Sequence, residues 1–250
     1  MIYGLWLSAD GLSSQQVRQE VIANNLTQVD TPGFKPDRVA FGERLNEYLL
    51  DSNPSTRLAS YENATGGLLP AEVFTDFTQG SIVPTGNDLD TALLDEGFFA
   101  IQTADGTRYS RDGRFTLRTD GGLEHIASGG KVLDAAGNAI TIDPNVAVAI
   151  TQEGRIQQNN VDVARLGVFR FENPQQLQKI GENLYEAPAG GAVLTNASVR
   201  QKAIEASGSD PASMLVDMMT AARAYELSAS MIQMQDESLG RLVNDVGRIA

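Results

Sequence analysis

Along the last forty residues, apolar side chains recur every seven positions. Met218, Tyr225, Ile232, Leu239 and Val246 form one unbroken line, and Met214, Ala221, Ser228, Gln235, Leu242 and Ile249 run beside it. Two lines offset by three or four residues make a single apolar seam on a helix, the a/d spacing of a coiled coil. The seam is diluted by the polar Ser228 and Gln235 and the small Ala221. Asp210 before Pro211 predicts an N-cap and first helical position. Glu237 and Arg241, four apart in the favourable order, fall on the outer face. A helix over about 210–250 would run ~55 Å at 1.5 Å per residue. That exceeds the usual helix of a small globule, so the seam calls for a partner.

Residues 2–29 carry a matching stripe. Leu5, Leu12, Gln19 and Leu26 are seven apart, Ile22 and Val29 supply a second line, and Ser13, Ser14, Gln15, Arg18 and Glu20 take the other faces. Asp30-Thr31-Pro32-Gly33 ends this helix, because proline cannot continue it and forces the residue before it out of the helical region. The two terminal helices are expected to pack on each other, on other copies, or on both. The alternative is two ordinary surface helices on one globule.

Between them the pattern changes. Val39, Leu45 and Leu49 have helical spacing within a mixed segment, and 51–67 is rich in Ser, Asn, Thr and Gly and reads as a loop or linker. Over 80–200 the period becomes that of strands. Asp105-Gly106, Asp112-Gly113 and Asp120-Gly121 punctuate Phe98–Gln102, Thr107–Arg111, Arg114–Arg118 and Leu123–Ile126, which predicts a β-meander turning at each Asp-Gly pair. Val146, Val148 and Ile150 alternate as another strand, and Leu166–Phe171 is one more. The expected architecture is α+β: long N- and C-terminal helices pairing as a coiled coil, with a central mainly-β domain of meander and hairpins. The segments are 1–35 for the first helix, 36–79 for a linker or extension, 80–205 for the β domain and 206–250 for the last helix.

Composition narrows the function. The chain has 250 residues, 42% hydrophobic and 20% charged, ordinary values for a folded protein. A formal net charge of −13 repels phosphate backbones, so no nucleic-acid partner is expected. No apolar run approaches the roughly 20 residues of a membrane span. The apolar start lacks a basic region and cleavage site, so no cleaved signal peptide is expected. The chain has no cysteine, which removes disulfides, thiolate metal sites and cysteine nucleophiles together.

Candidate chemistry is sparse. His125, the single histidine, has no partner at metal-binding spacing, and no GxSxG elbow occurs. Asp105, Asp112 and Asp120 are spaced wrongly for a calcium loop and read as turn residues. Gly129-Gly130 and Gly190-Gly191 match no phosphate-binding pattern. Asp88/Asp90 and Asp95/Glu96 could serve an acidic hydrolase only if folding brought them together. The expectation is no enzyme and no catalytic, cofactor-binding or metal-binding residues.

Three stretches, in order and at matching spacing, resemble one family. Ala23-Asn24-Asn25-Leu26-Thr27-Gln28-Val29-Asp30-Thr31-Pro32-Gly33-Phe34-Lys35 is similar to the N-terminal signature of bacterial flagellar rod and hook proteins. Thr85–Asp90, Gly97-Phe98-Phe99 and Tyr109-Ser110-Arg111-Asp112-Gly113 resemble the central motif of the rod proteins, and Ala206-Ser207 with Arg223-Ala224-Tyr225-Glu226 resembles their C-terminal block. Gly208-Ser209 and Ala222 depart from the usual residues there. The ending, Leu239-Gly240-Arg241 to Arg248, leans toward the proximal rod class, while Leu5-Trp6 and Phe34-Lys35 lean toward the distal one.

The resemblance implies a structural subunit. Its terminal helices would pair in an inner coiled-coil layer around a channel, with the β domain outside. Subunits would stack helically in the periplasmic rod of the flagellar basal body and transmit torque. Implied partners are other rod proteins, copies of the chain and the flagellar type III export apparatus. The expected assembly residues are Leu5, Leu12, Ile22, Asn24, Asn25, Leu26, Met218, Tyr225, Ile232, Leu239 and Val246. Asn24 and Asn25 are expected to make an intersubunit or backbone-capping hydrogen bond. The rival readings are a self-contained oligomeric fibre or adhesin-like binding protein with a β head, and the acidic hydrolase.

Overall fold

The computed structural model describes residues 2–42, 72–188, 190–196 and 198–247. The expected loop over 51–67 and the seam residue Ile249 lie outside the described residues. The chain divides into two units, one formed by 1–27, 37–74 and 211–250, the other by 28–36 and 75–210.

The first unit is built on two helices, α1 (Ile2–Thr27) and α2 (Pro211–Gly247). They pack on each other in opposite directions. Gly4 lies against Gln235, Gly11 against Ser228, and Arg18 is 3.6 Å from Asp217. The weak places in the α2 seam therefore have a local cause. Ser228 and Gln235 sit against Gly11 and Gly4 of α1, where a larger apolar side chain would have little room. There Gln235 Nε2 reaches Ser8 Oγ at 3.3 Å. Ala221 is fully buried.

Helix α1 stops at Thr27, two residues before the predicted end, so Val29 is not helical. Thr27 Oγ1 bonds back to the Asn24 carbonyl at 2.7 Å, and a tight turn follows, with the Thr31 amide donating to the Gln28 carbonyl at 3.1 Å. Val39, in the segment whose pattern was mixed, lies in strand β1 (Asp37–Ala40), which pairs with β2 (Glu72–Thr75), while Leu45 and Leu49 lie outside the described residues. The buried Asn25 fixes the start of β1 by donating to the Asp37 carbonyl at 2.7 Å and accepting from its amide at 2.9 Å.

The second unit is mainly β, with one short 3-10 turn at Pro174–Gln176. In chain order it holds β3 (Ile82–Pro84), β4 (Thr91–Leu93), β5 (Phe98–Thr103), β6 (Gly106–Ser110), β7 (Phe115–Leu117), β8 (Leu123–His125), β9 (Lys131–Val132), β10 (Val148–Ile150) and β11 (Arg155–Gln158). There follow β12 (Val161–Arg165), β13 (Val168–Phe171), β14 (Gln178–Gly181), β15 (Leu184–Glu186), β16 (Ala192–Leu194), β17 (Val199–Gln201) and β18 (Ala203–Glu205). The largest sheet has the order β14-β15-β6-β5-β9-β8-β7, with β13 joining β5 to β16. Leu93, Phe99, Phe115, Leu123, Val132 and Ile156 fill its main core, and Phe98, Phe171 and Tyr185 form an aromatic satellite. Burial of these side chains at about 1.5–3 kcal/mol each supplies the driving force for this unit.

Two of the three Asp-Gly pairs turn hairpins as expected. Gly106 (φ 119°) closes β5–β6 and Gly121 (φ 85°) closes β7–β8. Asp112-Gly113 does not. Strands β6 and β7 are not paired: β15 lies beside β6, and β7 stands at the far end of the sheet beyond β9 and β8, so the meander is broken there. Gly113 is pressed so close to Thr91 that a Cβ would stand 1.7 Å from its carbonyl oxygen. Two further hairpins turn on residues with positive φ, Asn159-Asn160 between β11 and β12 and Glu182-Asn183 between β14 and β15. Strand β10 begins at Val148 and β13 at Val168, each two residues later than the apolar pattern suggested.

Candidate assembly surface

In the helical unit, Ile22 and Asn25 are buried, and Leu5, Leu12, Leu26, Met218, Tyr225, Ile232 and Leu239 are half-buried. Asn24 points its side chain to solvent, while Asn25 spends both its polar atoms on Asp37 of the same chain. The Val246 side chain lies outside the described residues. The candidate residues are thus arranged along the helix pair, and most keep part of their surface open.

A second stripe was not singled out from the sequence. On the side of α2 turned away from that seam, Leu215, Val216, Met219, Leu227, Met231 and Met234 are exposed, Leu227 by 68% and Val216 by 63%. Spacings of one, three, four and eight residues put them on one broad helical face. The stripe lacks the strict seven-residue repeat that marks the seam. On α1, Trp6 is also 67% exposed. Exposed apolar stripes of this extent mark interaction surfaces.

The β unit holds a buried ionic cluster that links distant sequence positions. Lys35 Nζ lies 2.5 Å from Glu205 Oε1, Arg111 Nε donates to Glu205 Oε2 at 2.8 Å, and all three side chains are at most 5% exposed. The Gly80 amide donates to the same carboxylate at 2.8 Å. Lys35 also donates to the Thr78 carbonyl, and Arg111 to the carbonyls of Asp95 and Gly97. Burial pulls the Lys35 ammonium below the ordinary lysine range, outweighing the pull of Glu205 in the other direction.

A second buried group surrounds Asp112. Arg114 donates to both its carboxylate oxygens, and His125 Nε2 stands 3.6 Å away. Burial opposes ionisation of Asp112, but hydrogen bonding and charge from His125 and Arg114 prevail and hold it below the usual carboxylate range. His125 Nδ1 lies 2.8 Å from Ser128 Oγ. This Ser-His-Asp trio is a folded turn in chemical disguise. The ring is wholly buried, Ser128 Oγ accepts from the Gly130 amide, and the His125 amide donates to the Gly130 carbonyl.

An open polar groove of about 760 Å³ runs beside Glu153, Arg155, Asp162 and Arg165, but its charges are already paired: Arg155 is 3.0 Å from both Glu153 and Asp162. Among the described residues no group of three or more His, Asp or Glu is placed to hold a metal ion, and no helix is long and apolar enough to cross a membrane.

Comparison with known proteins adds an independent line. Residues 7–35 match the family model of the flagella basal body rod protein, 92–158 that of the flagellar hook protein FlgE/F/G D1 domain, and 200–245 that of the flagellar basal body rod FlgEFG protein C-terminal region. Over 245 residues the chain is 34% identical to the flagellar basal-body rod protein FlgF of Caulobacter vibrioides, covering 96% of this chain and 97% of that one. It is 32% identical to the flagellar basal-body rod protein FlgG of Borreliella burgdorferi over 271 residues, covering 99% and 100%. With the FlgG of Buchnera aphidicola subsp. Schizaphis graminum it shares 31% over 264 residues, covering 97% and 99%.

Proposed function

The chain belongs to the flagellar basal-body rod protein family, and from that premise we propose that it is a subunit of the rod that assembles helically through its terminal helices, with copies of itself and with other rod proteins, and transmits torque across the periplasm. The family is a structural one, and its members belong to the flagellar basal body. In the proposed assembly the helix pair of each subunit continues as a coiled-coil layer with its neighbours around the rod axis. The segments 1–35 and 206–250 act as the coiled-coil domain, 36–79 as a linker or extension and 80–205 as the central β domain. The subunit reaches its place through the flagellar type III apparatus.

The observation that carries this reading is the exposed apolar face of α2. A helix of 37 residues has one side set against α1 and still offers Leu215, Val216, Met219, Leu227, Met231 and Met234 to solvent. A self-sufficient globule has no use for such a face, whereas an assembling subunit buries it against neighbours. Replacing Leu227 and Met231 with aspartate tests it. The variant is expected to fold as the parent does but to fail to enter rods and to leave cells non-motile. Normal incorporation overturns the proposal, and a closed oligomer of the parent chain in solution favours the fibre reading instead.

A further inference from the structure

The chain passes between its two units at four points, after Thr27, after Pro36, before Thr75 and after Asp210. The β unit therefore has four chain ends of its own, at residues 28, 36, 75 and 210, and they lie on three stretches of chain: 28–36, the stretch entering at 75 and the stretch leaving at 210. We propose that Lys35, Glu205 and Arg111 form a mechanical clamp that locks these three segments to one another and to the β core, so that force entering the unit along the chain is met by all of them together. The purpose assigned to the clamp rests on the rod role proposed above; its existence as a device does not.

The cluster joins all the parts required. Lys35 lies one residue from the exit at Pro36, Thr78 and Gly80 follow closely on the entry at Thr75, and Glu205 precedes the exit at Asp210. Arg111 anchors the group to the core side by holding the carbonyls of Asp95 and Gly97. Backbone bonds run through the same knot. The Gly33 amide donates to the Glu205 carbonyl at 2.7 Å, Gly208 to Phe34 at 2.9 Å, Asp76 to Pro36 at 2.8 Å and Ala206 to Ser81 at 2.8 Å. Lys179 Nζ donates to the Lys35 carbonyl at 2.7 Å and lies 4.7 Å above the Phe34 ring. Packing leaves no slack. A Cβ on Gly33 (φ 68°) would stand 2.5 Å from the Arg111 carbonyl carbon, and one on Gly80 2.3 Å from the Ala206 oxygen.

Two cations facing one carboxylate in a dry site are a poor way to gain stability, since apolar side chains of similar volume often do as well. They are a strict way to gain geometry. Lys35 and Arg111 rely on Glu205 for their counter-charge, and Thr78 and Gly80 supply further hydrogen bonds to Lys35 and Glu205, so release of any one segment leaves a buried charge or polar group in the others short of a partner. The three segments must then open together or not at all.

Amide hydrogen exchange on the free full-length chain reads this directly, before any assembly is involved. In Glu205→Gln, which keeps the shape and removes the charge, the amides of Gly33, Asp76, Ala206 and Gly208 are expected to exchange about tenfold faster or more. Those of Ala100 and Leu133, hydrogen-bonded within the core sheet region, keep their rates. Lys35→Met, which leaves the Arg111–Glu205 pair neutral overall, is the second variant and is expected to loosen Gly33, Asp76 and Gly208 in the same selective way. Equal acceleration at clamp and core amides, unfolding of both variants, or unchanged rates overturns the clamp. A clamp confirmed by exchange in a chain that never enters a rod would instead reject the rod role.

Discussion

The double change Leu227→Asp, Met231→Asp puts the assembly reading at most risk. The two side chains are four residues apart on the outer face of α2, and they are 68% and 50% exposed. Full burial of a leucine or methionine is worth about 1.5–3 kcal/mol. Covering the part still open is then worth about 1–2 kcal/mol for Leu227 and about 0.8–1.5 for Met231. Together that is about 1.8–3.5 kcal/mol per contact, a factor of about 20–300 in affinity at 1.4 kcal/mol per decade. Burying two carboxylates opposite an apolar neighbour adds a further penalty. In the free chain the same positions face water, so stability should change by about 0.5 kcal/mol for each, little more than the poorer helix propensity of aspartate. The chain has one tryptophan, Trp6, on α1, and its emission follows the helical unit on assembly. The expected result is an unchanged thermal melt for the free variant, no blue shift of Trp6 under conditions that assemble the parent, and loss of swimming. Parent-like assembly by the variant would refute the reasoning, as would a free variant that has lost its helix content, since the face would then serve the monomer.

Other expectations follow from single contacts. Ile232, half-buried along the helix pair, should destabilise that unit by about 2–3 kcal/mol when changed to aspartate; circular dichroism should show helix loss with the β unit's melt kept, and rod assembly should fail. Asn25→Ala removes two hydrogen bonds to Asp37 at a buried site; a local loss of about 2–3 kcal/mol should speed tryptic cleavage at Arg38, and unchanged cleavage would mean the bonds hold nothing in place. Asp112 has a folded pKa below its unfolded value, so it adds stability that is present above the ordinary aspartate range near pH 4 and is lost as pH falls through the lowered folded value. Thermal melts from neutral to strongly acid pH should show this loss in the parent, and Asp112→Asn should be less stable at neutral pH with a flatter acid limb. A parallel acid limb would assign that loss to other carboxylates.

The sequence by itself determined what depends on near neighbours. Seven-residue spacing along α1 and α2 is a property of one helix face, so it announced both helices and their need for partners before any packing was known. Pro211 marked the start of α2 by local sterics, and two Asp-Gly pairs marked hairpins because glycine takes positive φ freely, whereas α1 ends at Thr27, before Pro32 is reached. The family signatures were legible for the same reason, being contiguous strings.

What only tertiary structure decided is which distant segments meet. Asp112-Gly113 looks like its two neighbours in the sequence, yet it turns no hairpin and is buried, because β15 takes the place beside β6 and Thr91 presses on Gly113. Lys35, Arg111 and Glu205 each stand inside or next to a recognised motif, but nothing local says that a lysine and a glutamate 170 positions apart share a proton-tight contact. Ser228 and Gln235, read as flaws in a seam, are accommodations to glycines on the opposite helix. A residue pattern records the environment each position faces within a few turns of chain. The identity of the group that supplies that environment is set by how the chain closes on itself.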